Sequence, residues 1–150
     1  MNEATIRGPW DRVTIERFLE QAVLPIRLAY NGAGGFPVVA SHWFLKMDNQ
    51  IVCAIQRDSY TAKLVRKNPH CGFEISGDQP PYRGVRGQAL AHLEKQMGPE
   101  ILERLIDRYL GEEDNQLASW LRSRSQNETA IYLTPTTLSA WDYRPRMNPR

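Results

Sequence analysis

Residues 25–55 constrain the fold more than any other part of the chain, because they form short period-two segments with turn chemistry between them. Ile26, Leu28 and Tyr30 alternate with Arg27 and Ala29. Asn31-Gly32-Ala33-Gly34-Gly35 then offers residues that take positive φ, ahead of an apolar stretch over 38–45. This pattern predicts a β-hairpin. Met47-Asp48-Asn49-Gln50 is the next turn and residues 51–55 the next strand, so the expectation is a meander of three adjacent strands. Antiparallel pairing of short neighbours, rather than strict strand–helix alternation, sets the fold class.

Helical patterns are few. Ile15, Phe18, Leu19 and Ala22 fall at helical spacing, with Thr14 as N-cap and Pro25 beyond them, which predicts an amphipathic helix lying as a lid on the sheet. Residues 58–67 read as a short helix capped by Asp58 or Ser59 and ended by Asn68-Pro69. Cys71, Phe73 and Ile75 alternate on a further strand. Residues 82–93 form a longer one, in which Gly84 and Gly87 mark bulges or close backbone approach. Gly98-Pro99 opens a helix with the stripe Ile101, Leu102, Leu105, Ile106 and Tyr109, a third helical piece covers 117–121, and strands at 130–133 and 138–141 finish the chain. The sum is a mainly β, six- to seven-stranded antiparallel barrel with peripheral helices, one domain over 1–150, with 1–10 and 145–150 flexible.

Composition removes several function classes. A net charge of +2 is too mild for a protein built to neutralise nucleic-acid phosphate. No stretch approaches the roughly 18 apolar residues of a membrane span. The opening residues carry neither a basic nor an uninterrupted apolar leader pattern. Cys53 and Cys71 lack CxxC spacing and read as small core residues, which makes a reducing cytoplasm the expected compartment. His42, His70 and His92 are scattered, so no metal site is expected. The Gly32–Gly35 run is followed by Phe36-Pro37 and a strand rather than Gly-Lys-Ser/Thr and a helix, which makes it a turn and not a phosphate loop.

Three segments offer chemistry. Arg57, Ser59, Thr61 and Lys63 stand at the start of a short helix directly after a strand, where free N–H groups and the helix dipole hold a phosphate; the alternative is that Lys63, Arg66 and Lys67 form a solvated face. Tyr82-Arg83-Gly84-Val85-Arg86-Gly87 brings an aromatic ring and two guanidiniums to a strand that can approach a planar ligand, or is a bulged edge strand with solvated arginines. Trp141-Asp142-Tyr143-Arg144 is a ring wall with an anion clamp, or a strand packing one tryptophan.

Taken in order, these segments resemble the pyridoxamine 5′-phosphate oxidase-like, FMN-binding split-barrel family. The resemblance rests on residues 28–30, the glycine-rich hairpin ending in Phe36-Pro37, and residues 38–44 and 51–55. It continues through the Ser/Lys helix closing at Asn68-Pro69, the run Tyr82–Ala89, and the late Thr134-Pro135 and Ser139-Ala140-Trp141-Asp142-Tyr143. It spans residues 11 to 144. It implies a split barrel and a homodimer with FMN in the cleft between subunits. Val39, Ala40, Ser41, His42 and Trp43 would line the ring with Ala54 and Ile55 nearby, and Arg57, Ser59, Thr61 and Lys63 would lie around the phosphate. Tyr82, Arg83 and Trp141 complete the expected site. Thr61 stands where many relatives carry a lysine. The strand 38–44 lacks the basic residues of true pyridoxamine phosphate oxidases, and Arg83, Arg86 and Arg144 look scattered, so the implied substrate is a hydrophobic or planar small molecule. The implied activity is that of an FMN-dependent oxidoreductase, with no protein acid or base standing out as catalytic. The alternatives are a deazaflavin-dependent reductase, or a non-enzymatic flavin or haem carrier using His42, His70 or His92 as axial ligand.

Overall fold

The structure, a computed structural model, describes residues 3–111 and 115–147. In chain order its strands and helices are β1 (Thr5–Arg7), α1 (Arg12–Gln21), β2 (Ile26–Asn31), β3 (Pro37–His42), β4 (Leu45–Met47), β5 (Gln50–Gln56), α2 (Tyr60–Lys67), β6 (His70–Ser76), β7 (Arg83–Glu94), α3 (Gly98–Leu110), α4 (Gln116–Ser123), β8 (Glu128–Asp142) and α5 (Arg144–Met147). The segment expected to be flexible at the start contains β1, and the one at the end contains most of α5; residues 1–2 and 148–150 of that expectation lie outside the described residues. α1 is capped by Asp11, whose Oδ1 accepts from the Thr14 amide at 2.8 Å, so the cap lies three residues before the expected Thr14. Of the two caps the pattern offered for α2, Asp58 and Ser59, it is Ser59 that caps it.

β2 and β3 form the expected hairpin, in register from Ile26–His42 to Asn31–Pro37, across a turn in which Gly34 and Gly35 hold φ of 79° and 84°. The meander does not continue. The sheet order is β3-β2-β6-β7-β8-β5-β4, which puts β3 at one end and the β4–β5 hairpin at the other. A flat sheet of that order would separate its edges by about 29 Å. The two-residue link Trp43-Phe44 spans about 11 Å at most. The sheet must therefore curl until its edges meet, and since β3 and β4 do not pair, it is an open, split barrel. The stretch 38–45 is not one strand, because the fully buried Phe44 side chain turns into the core where the chain crosses the gap between β3 and β4.

The sheet has eight strands among the described residues, the eighth being β1, which pairs parallel to β8 from Thr5–Thr137 to Arg7–Ser139. β8 is one strand of 15 residues where two were expected. It passes through Pro135 because a bulge beside Gln88/Ala89 absorbs the irregularity, and because β5 ends its pairing at Leu133 while β1 begins only at Thr137. The glycines of β7 mark close approach: a Cβ on Gly84 would lie 2.6 Å from Ser76 Cβ and 2.7 Å from the Ile75 carbonyl oxygen. Ile26, Leu28, Cys53, Ile75, Val85 and Ile131 fill the barrel, joined by Ile15 and Leu19 of α1 and by Ala62 and Val65 of α2. α3 lies outside, packing Ile101 and Leu105 against Val52 of β5 and Ala130 of β8. No helix among the described residues is long and apolar enough to cross a membrane.

Candidate functional site

The link that closes the barrel also builds a groove. Trp43 leaves β3 facing outward and stacks on Tyr109 of α3, with ring centroids 5.0 Å apart and planes inclined 7°. The Tyr109 hydroxyl donates to the Leu24 carbonyl at 2.7 Å and accepts from the Phe44 amide at 3.1 Å, which fixes the aromatic wall to both the link and the entry to β2. Beside it lies a groove of about 330 Å³ lined by Ser41, His42, Trp43 and Ala54, by leucines of α3 and α4, and by Glu128 at the start of β8. This is within the range of about 300–1,000 Å³ usual for small-molecule sites.

Two polar atoms of this lining are buried without a partner: His42 Nε2 and Glu128 Oε2. Such atoms cost stability unless a ligand satisfies them. Glu128 is only 6% exposed and accepts from Gln56 Nε2 through its other oxygen at 2.7 Å. Burial pushes its carboxyl above the usual range, opposed in part by the Gln56 hydrogen bond and by Arg124. Burial likewise lowers His42, favouring the neutral imidazole. Nothing local in the sequence singles out Glu128; it acquires its place only through pairing with Gln56 across β5 and β8.

One residue beyond that pair is the corner where β5 meets α2. The Arg57 amide donates to the Asn127 carbonyl at 2.8 Å, and its Nη2 to Asn127 Oδ1 at 3.2 Å. Ser59 Oγ accepts from the Ala62 amide at 3.2 Å and keeps its own proton for another acceptor. Lys63 is exposed. Thr61 differs: it is 7% exposed, and its Oγ1 is hydrogen-bonded to the Tyr30 hydroxyl at 2.8 Å, a core contact rather than a ligand contact.

The fold thus gathers Ser41, His42, Trp43 and Ala54 at the groove, while Arg57, Ser59 and Lys63 stand outside its lining, at the corner that follows Gln56 on β5. The remaining expected site residues lie elsewhere. Ala40 and Ile55 pack into the core, and Val39 stands 66% exposed on the outer sheet face. Tyr82 is 43% exposed just before β7, Arg83 covers the Phe18 ring at 6.0 Å, and Trp141 carries Arg86 at 5.5 Å. Trp141 and Glu128 occupy opposite ends of β8, so one copy of the chain does not bring them into one site. Among the described residues no cluster of His, Cys, Asp or Glu could hold a metal; His70 is hydrogen-bonded to Asn68 and His92 to Glu94.

No family model and no curated protein matches the chain. Solved structures do. A conserved hypothetical protein of Mycobacterium tuberculosis, Rv2991, is 20% identical with a TM-score of 0.78, over 95% of this chain and 91% of that one. An F420 reductase is 20% identical with a TM-score of 0.72, over 88% and 98%. A provisionally named pyridoxamine 5′-phosphate oxidase from Listeria innocua is 22% identical with a TM-score of 0.65, over 85% and 95%. This chain has the pyridoxamine 5′-phosphate oxidase-like split-barrel fold. Other structures of this split barrel are named as FAD-binding and haem-storage proteins, so the fold alone admits flavin, deazaflavin or haem.

Proposed function

We propose that the chain is a flavin-dependent oxidoreductase that holds FMN with its ring in the Trp43 groove and its phosphate at the β5–α2 corner. The observation that carries this reading is an aromatic-walled groove containing two unpartnered buried polar atoms, one of them on Glu128, whose strand partner Gln56 is followed by Arg57 and, from Ser59, by the start of α2. The residues fit the group: a flavin ring presents both N–H and carbonyl edges, which Glu128 and neutral His42 can satisfy, while Ser59, Arg57, Lys63 and the first amides of α2 can hold a phosphate monoester. Bound there, the flavin supplies hydride or electron transfer. The protein orients the ring, keeps water from one face with Trp43 and the leucines of α3 and α4, and anchors the tail. A hydrophobic or planar small molecule is the proposed substrate class.

The proposed assembly is a homodimer. Trp141 and Tyr82 are remote from the groove within one copy, and the outer face of β3, β2, β6 and β7 carries exposed Val39 beside an open depression lined by Ala29, Gly72 and Gly87. A second copy set against that face would bring its own aromatic residues toward the groove. Sedimentation with cofactor present is expected to give a dimer; a monomer at micromolar concentration would count against this assembly.

A deazaflavin is the second reading. Lys63, Arg66 and Lys67 continue the positive charge of the corner along α2, which suits a longer anionic tail. The absorption spectrum of protein purified without added cofactor separates the cases, since flavin, deazaflavin and haem differ plainly. FMN binding, with riboflavin much weaker, supports the proposal. A protein that takes up the deazaflavin and ignores FMN replaces it with the second reading.

A further inference from the structure

We propose that a second cleft, distinct from the Trp43 groove, binds a small organic anion with an aromatic body. The cleft has a volume of about 460 Å³ and lies between α1, the 77–81 turn that joins β6 to β7, and the start of β7. Trp10 and Phe18 form its aromatic side, with ring centroids 5.2 Å apart and planes inclined 52°. Leu24 and Pro81 add apolar surface. Three arginines line it, Arg17, Arg83 and Arg144, and no aspartate or glutamate does. Read along the sequence, Arg83 and Arg144 looked scattered. The β7–β8 ladder aligns Arg83 with Asp142, and α1 supplies Arg17 from the opposite wall.

The three cations are not equivalent. Arg144 is compensated, donating to Asp142 from Nε at 2.9 Å and from Nη2 at 2.6 Å, and the Trp10 indole N–H donates to the same carboxylate at 3.2 Å. This locks the floor of the cleft. Arg83 contacts the Phe18 ring at 6.0 Å, and the side chains of Arg83 and Arg17 make no hydrogen bond or ion pair with a described residue. Asp11, whose carboxylate feels Arg17, is engaged as the cap of α1. Two guanidinium forks without a side-chain hydrogen bond therefore flank an aromatic wall. A carboxylate or phosphate accepts from both forks, while an aromatic body lies on Phe18 and Trp10. Inorganic anions match only the charged half of this lining.

The cleft is also independently built. Leu24 faces it while Pro25 faces the Trp43 groove, so the segment between α1 and β2 is the partition. Arg108 of α3 holds that segment by donating to the Leu19, Glu20 and Ala22 carbonyls, and Tyr109 does so through Leu24. The inference does not depend on which cofactor the groove takes.

The test is a titration of cofactor-free full chain with benzoate, phenyl phosphate and benzylammonium, following the Trp10 and Trp43 indole N–H resonances. Benzoate or phenyl phosphate should shift Trp10 saturably and leave Trp43 in place, and whichever binds more tightly names the head group. Arg17→Gln and Arg83→Gln alter exposed side chains; each should weaken binding at least tenfold with the far-UV circular dichroism unchanged. The absence of a saturable shift with both anions would overturn the proposal, as would an equal response to benzylammonium or unchanged affinity in both variants.

Discussion

Replacing Glu128 by glutamine should make the cofactor-free protein more stable at neutral and alkaline pH. Glu128 is 6% exposed, with one oxygen bonded to Gln56 and the other buried without a partner. Leaving a buried polar atom unsatisfied costs about 1–3 kcal/mol, more when it is charged. Burial raises the folded-state pKa above its ordinary value, so between the unfolded and folded values the native chain holds a proton that the unfolded chain has released. The stability associated with that proton is fully present below the unfolded pKa and is lost as the pH rises through the folded pKa. Glu128→Gln keeps the shape and the acceptor for Gln56 and removes the charge. Urea denaturation should therefore find the variant about 1–2 kcal/mol more stable than the parent near pH 8, with the advantage gone near pH 4. In thermal melts the gain at higher pH corresponds to about 2–8 °C. An equal difference at both pH values, or a variant less stable at the higher one, would refute the argument that an unpaired carboxylate is buried in the groove.

Arg57→Ala and Lys63→Ala should each weaken FMN by about one to two orders of magnitude in fluorescence titrations, because a charge-assisted hydrogen bond contributes roughly 1.5–3 kcal/mol, and should leave riboflavin almost unaffected. Wild-type affinity for FMN in both variants would mean that the phosphate lies elsewhere. Tyr109→Phe removes the donor to Leu24 and the acceptor for the Phe44 amide, so thermal denaturation should show a loss of about 1–3 kcal/mol; no loss would mean that water replaces the hydroxyl at no cost. Gly84→Ala places a methyl 2.7 Å from both the Ile75 carbonyl oxygen and Trp141 Cζ2, and should destabilise by about 1–3 kcal/mol with a change in tryptophan fluorescence. Unaltered stability would show that β6 and β8 have room to yield.

What the sequence disclosed was local. The β2–β3 hairpin, the Ser59 cap of α2 and the Pro99-led stripe of α3 each depend on residues within a few positions of one another, and each stands where the pattern put it. The departures all involve partners far away in the chain. One continuous strand was expected over 38–45, so nothing marks the point where Phe44 turns into the core and β4 departs for the other edge. Pro135 reads as a break until a bulge and an unpaired flank accommodate it within one long strand. At the candidate site, His42, Trp43 and Ala54 were named only through the family resemblance and Arg57 and Lys63 through the helix start, whereas Glu128 was not named at all, since a single glutamate before a strand carries no signal until Gln56 faces it. Thr61 erred in the opposite direction: its hydroxyl suits a phosphate by type, but its position in the first turn of α2 aims it at Tyr30.

The split in the barrel and the groove are one feature. A sheet that closed by pairing β3 with β4 would leave no gap for a ring. A longer link between them would leave Trp43 without the geometry that presses it onto Tyr109. With only two residues, one must turn inward and the other outward: Phe44 joins the core while Trp43 becomes a wall of the groove. The opposite wall comes from Leu102 and Leu105 of α3 and Leu117 and Leu121 of α4, side chains that lie outside the barrel core. Leu105 also packs on Val52 and Ala130, and Leu102 beside Ala54, so a change of size there is felt by the strands as well as by the groove, whereas Leu117 and Leu121 shape the groove from α4. In this arrangement the two edges of the barrel set where the groove lies, and the two outer helices set its shape.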